Sequence, residues 1–81
     1  MAAHDKHPTR IQVEVAGYTW QVHGARTGPR WHCHLVELVG PLPLDRPLSE
    51  SLRDNIRMAL AKALEMDESA VARISADLIL A

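Results

Sequence analysis

The chain has 81 residues, a formal net charge of −1 at pH 7, one cysteine and no phenylalanine. This describes one small domain, without an internal disulfide and without the basic excess that drives general nucleic-acid binding. A domain of this size buries only about 60% of its unfolded surface, and many gain stability from a metal or a partner subunit.

A lone cysteine, Cys33, fits a reducing compartment. The N-terminal stretch has no apolar segment of the signal-peptide kind, and no apolar run is long enough to span a bilayer. These features predict a cytoplasmic location. Residues 1–8 read as a polar, disordered tail that carries His4 and His7, leaving 9–81 as a single domain.

From Ile11 to Val15 apolar and polar residues alternate, as in a half-buried strand. Ala16-Gly17 is a two-residue turn signal, and Tyr18 to His23 alternates again. A second turn region, Gly24 to Pro29, leads into a third strand from Trp31 to Val39. A turn centred on Thr27-Gly28 sets His23 opposite His32, Gln21 opposite His34, Val22 opposite Cys33 and Trp20 opposite Leu35. In that register apolar faces apolar and polar faces polar.

Gly40 to Pro47 contains three prolines, which forbid regular pairing and predict a stiff crossover. Leu42 and Leu44 are expected to tuck beneath it. Ser49 to about Met66 reads as a helix, with Ser49 as its cap and Glu50 at the positive end of its dipole. Leu52, Ile56, Ala59, Leu60, Ala63 and Met66 form its apolar stripe. Glu50, Arg53, Asp54, Arg57 and Glu65 lie opposite. From Arg73 to Leu80 the residues alternate once more, which favours a fourth strand with Ile74, Ala76, Leu78 and Leu80 on one face. A second helix is the competing reading of 71–80. The expected fold is therefore a two-layer α+β domain of order β-β-β-α-β, an antiparallel sheet with one helix packed on one face.

Three constellations bear on function. In the register above, His23, His32 and His34 share the outer sheet face, and three imidazoles with an open fourth position suit zinc or another divalent transition metal. Glu37 or Glu14 is the available carboxylate to orient them. Cys33 faces the core, where a thiol behaves as a small apolar group. Arg26 and Arg30 bracket a glycine-containing turn that would grip a phosphate or carboxylate, with Trp31 beside them to stack on a base. Met58 and Leu64 fall outside the helix stripe, and Ile79 breaks the polar face of the last strand, so these three are candidate partner-binding residues together with Arg26 and Arg30.

No carboxylate pair, serine nucleophile or phosphate loop completes a catalytic set, so the reading leans away from an enzyme. It favours a protein–protein interaction module of the antitoxin, immunity or inhibitor kind, self-associating as a dimer. The alternatives are a metal-binding protein using the three histidines, and a nucleic-acid contact at the Arg26/Arg30 tip, which the neutral overall charge disfavours.

Glu37-Leu38-Val39-Gly40 leaves the third strand, and Leu48 to Leu60 enters the helix. With the order β-β-β-α-β, this layout resembles the N-terminal domain of HicB-type antitoxins. The resemblance covers Ile11 to Leu80. It implies a partial ribonuclease-H-like fold and a small ribonuclease as partner. The proline-rich crossover departs from that family, and so does the lack of a separate DNA-binding segment in these residues.

Overall fold

A computed structural model describes residues 8–44 and 47–80. The tail with His4 and His7 lies outside the described residues up to position 7, whereas Pro8 already belongs to the first strand. Strand β1 (Pro8–Val15) and strand β2 (Tyr18–Thr27) form a hairpin closed by Ala16-Gly17. Both turn residues have positive φ, 60° and 83°. This is the turn whose twist matches that of paired strands. Trp20 fixes the same corner by donating its indole N–H to the Val15 carbonyl at 3.2 Å.

Strand β3 (Arg30–Gly40) pairs antiparallel with β2, but around Gly28-Pro29 rather than Thr27-Gly28. The predicted register is therefore corrected: Ala25 faces His32, Gly24 faces Cys33 and His23 faces Leu35. The register shifts twice, leaving His34 and Val39 as extra residues on β3. Before the first bulge, Trp31 and Cys33 point inward as expected. After it the phase reverses, so that Val36 is buried and Leu35 moves to the outer face.

Helix α1 (Glu50–Leu64) starts where Ser49 accepts the Leu52 N–H on its hydroxyl, as the sequence predicts. It ends at Glu65, a left-handed residue whose N–H bonds back into the last turn. Its buried stripe is Leu52, Ile56, Leu60 and Ala61; Ala59 is half-buried and Ala63 exposed. The helix is thus rotated from the predicted stripe, and among the strands it comes closest to β1. Of the two crossover leucines, Leu44 packs on the core, whereas Leu42 is exposed.

The last segment departs most from expectation. Its strand β4 is only Ile79–Leu80, and it runs parallel to β3, giving a mixed sheet of order β1-β2-β3-β4. Upstream, Ala72 N–H reaches the Trp31 carbonyl at 2.9 Å, so the chain already follows the β3 edge there. A 3-10 turn (Ala76–Leu78) then interrupts it, with the Ser75 hydroxyl donating to the Asp77 carboxylate. That turn changes the side-chain phase: Ile74 and Ile79 are buried, while Ala76 and Leu80 are exposed. The core lies between the inner sheet face and the helix, around Trp20, Val22, Trp31, Val36, Ile56 and Leu60. No helix among the described residues is long and apolar enough to cross a membrane.

Candidate functional site

The rotation of α1 and the path of residues 68–74 create a feature that the linear pattern hides. Both flank an open groove of about 720 Å³, and Arg30, Arg53, Arg57 and Arg73 line it. Arg30 comes from the start of β3. Arg53 and Arg57 lie one turn apart on the helix, and Arg73 comes from the segment that returns along the sheet edge. The carboxylates in the lining are Glu50 and Asp54, so the groove carries an excess of two positive charges in a chain that is nearly neutral.

The four guanidiniums differ in how far they are committed. Arg57 forks onto Asp54 at 2.9 and 3.1 Å and also donates to the carbonyls of Glu68 (2.6 Å) and Val71 (3.4 Å). Arg53 donates to the Ile74 carbonyl at 3.3 Å. These two side chains tie the helix to the returning segment. The Nε–H of Arg53 is nonetheless buried without an acceptor, an uncommon and costly state for a charged donor. Arg73 meets Glu50 at 2.8 Å, but both side chains are mostly in water, at 84% and 73% exposure. Such a pair contributes about 0–1 kcal/mol and exchanges readily for another anion. Arg30 is exposed and pairs with no carboxylate among the described residues.

The groove therefore combines a tethered base with two available guanidiniums. Guanidinium forks match carboxylate and phosphate groups in shape as well as charge. Close by, the Ser69 hydroxyl and amide both donate to Asp67, which holds that carboxyl below its ordinary value and caps the 3-10 turn (Glu68–Ala70).

The predicted site residues are dispersed around this groove. Arg30 is part of it. Arg26 is exposed but folds back on its own turn, donating to the Gly28 carbonyl at 3.2 Å. Met58 is 40% exposed and borders a separate shallow depression with Lys62 and Met66. Leu64 is half-buried against the core. Ile79 is corrected: it is 7% exposed, because it pairs with Val36 on the inner side of the sheet.

The histidines are not assembled as the assumed register requires. His23 and His32 are not opposite each other, and His34 sits on the bulge. Among the described residues no group of three or more His, Cys, Asp or Glu side chains is placed to hold a metal ion. His23 instead meets Glu37 at 2.7 Å across the outer face. Cys33 lies on the inner face beside the core, and burial pushes its thiol up to about 11. A thiol so rarely ionised near neutral pH is a poor nucleophile.

Arg53, Arg57 and Arg73 were not singled out by sequence reasoning. The available signal was that all the helix arginines fall on one flank, but the element that packs there lies some twenty residues downstream. No known protein family, curated protein or solved structure matches this chain.

Proposed function

We propose that the chain is a non-enzymatic binding module that recognises an acidic segment of another protein through the arginine-lined groove. The observation that carries this reading is the convergence of four arginines from three elements on one open groove. Two of them are fixed by backbone carbonyls and two are available for exchange. Such an arrangement pre-orients charge, while the nearby carboxylates Glu50 and Asp54 are paired with Arg73 and Arg57 and the Ser69 hydroxyl donates to Asp67. It supports recognition rather than turnover.

A protein partner is favoured over nucleic acid by the carboxylates interleaved in the groove. Glu50 and Asp54 would repel a continuous phosphate backbone, yet they leave room for spaced carboxylates. Arg26, the other half of the predicted nucleic-acid tip, is engaged with its own turn.

The test is a titration of the full chain with a fluorescently labelled glutamate-rich peptide, and in parallel with a single-stranded oligonucleotide. The peptide is expected to bind, with an affinity that falls as salt is raised. Arg30→Ala and Arg73→Ala are each expected to weaken it by about tenfold, the loss of one charge-assisted contact. Absence of peptide binding, or oligonucleotide binding that is tighter than the peptide's, would overturn the reading.

A further inference from the structure

At the edge of the sheet opposite β4, β1 pairs with β2 on one side and with no other strand among the described residues. We propose that two copies of the chain join through this edge, β1 against β1 and antiparallel, about a two-fold axis at Gln12. This inference does not rest on the groove.

The hairpin geometry selects the register. Val15 and Tyr18 flank a two-residue turn with positive φ at both positions, so they exchange both backbone hydrogen bonds. By alternation, Val13 and Ile11 also direct their backbone groups to β2. Arg10, Gln12 and Glu14 direct theirs outward, to the open edge. An antiparallel copy centred on Gln12 sets Gln12 against Gln12, Arg10 against Glu14 and Glu14 against Arg10. Every outward N–H and C=O in that stretch then finds a partner.

The side chains agree with the backbone. Arg10, Gln12 and Glu14 are exposed on the outer face, so each Arg10 stands beside the Glu14 of the second copy. On the inner face, Ile11 of one copy meets Val13 of the other. Ile11 and Val15 are only partly covered in the single chain, although both pack on the core. Sliding one copy by two residues removes the charge pairs. Sliding it by four sets Arg10 against Arg10 or Glu14 against Glu14, which is repulsive. A slide by one or three sets outward groups against residues committed to β2.

Charged residues on an edge strand commonly discourage pairing. Here the charges attract in one register, go unpaired when it slips by two residues and repel when it slips by four, which makes the edge selective for a second copy. The sheet continues through the two-fold from one copy to the other, which brings the two helices, each nearest its own β1, to the same face at the junction. In each copy, Arg30 and Arg73 of the groove belong to β3 and to the segment that follows its far edge.

Sedimentation of the full chain at high micromolar concentration tests this, with circular dichroism to confirm that each variant is folded. The wild-type chain is expected to be a dimer. Arg10→Glu and Glu14→Arg alter exposed side chains only, and each alone is expected to weaken the dimer at least about tenfold by placing like charges across the junction. Mixing the two variants restores opposite charges at both positions and is expected to give a mixed dimer. A monomeric wild-type chain, variants that associate as well as the wild type, or a mixture that stays monomeric would each overturn the proposal.

Discussion

Gly24 has no side chain because the indole of Trp31 occupies the space that one would need. A β-carbon there would meet Cη2 and Cζ2 of Trp31 and the carbonyl of His32 at less than contact distance. Trp31 is 1% exposed, so its ring has nowhere to retreat. Gly24→Ala is therefore expected to destabilise the fold by about 1–3 kcal/mol, the usual cost of overpacking, as measured by urea unfolding. Tryptophan emission should shift to the red in the folded baseline as the ring is displaced; an unchanged midpoint would contradict the packing described. At this scale the sequence was partly legible. The alternation around Trp31-His32-Cys33 correctly sends the ring and thiol inward and His32 outward. The role of Gly24 was not legible, because it depends on which residue of β3 lies across from it.

Among the elements, local chemistry was the most readable. The Ala16-Gly17 turn, the Ser49 cap and the core residues Leu52, Ile56 and Leu60 follow from short-range rules of turn geometry, capping and helical period. What failed were features set by tertiary pairing. Two bulges on β3 change its phase, so Leu35 emerges where the alternation predicts an inward residue. The Ser75–Asp77 bond belongs to a 3-10 turn, and this shifts the last strand so that Ile79, not Leu80, enters the core. Arg57 is the test case for how elements are joined. Its guanidinium bridges α1 to the 68–71 segment through the carbonyls of Glu68 and Val71. Its loss in Arg57→Ala is expected to cost about 1–3 kcal/mol, the range for hydrogen bonds from a charged donor. Hydrogen exchange should quicken first at Ala70 and Val71, whose amides close the 3-10 turn. Equal protection there in the variant and the wild type would show that Arg57 is not the tether.

Across the whole molecule, charge is distributed unevenly although it nearly cancels. Arg30, Arg53, Arg57 and Arg73 gather around a groove, and the edge strand β1 carries exposed Arg10 and Glu14. The first arrangement joins residues more than forty positions apart, which explains why the sequence suggested Arg30 but not its companions. The three-histidine cluster was predicted for the opposite reason. It depended on a register one residue different in the turn, and bulging then separated the strands' matching positions. Recognition through the groove is tested most directly by nuclear magnetic resonance of the arginine Nε–H groups during titration with the glutamate-rich peptide. Signals of Arg30, Arg53 and Arg73 are expected to move together and saturate, with Arg53 moving as its unpaired Nε–H gains an acceptor. Shifts confined to the outer face around His23 and Glu37, or no shift at saturating peptide, would contradict it.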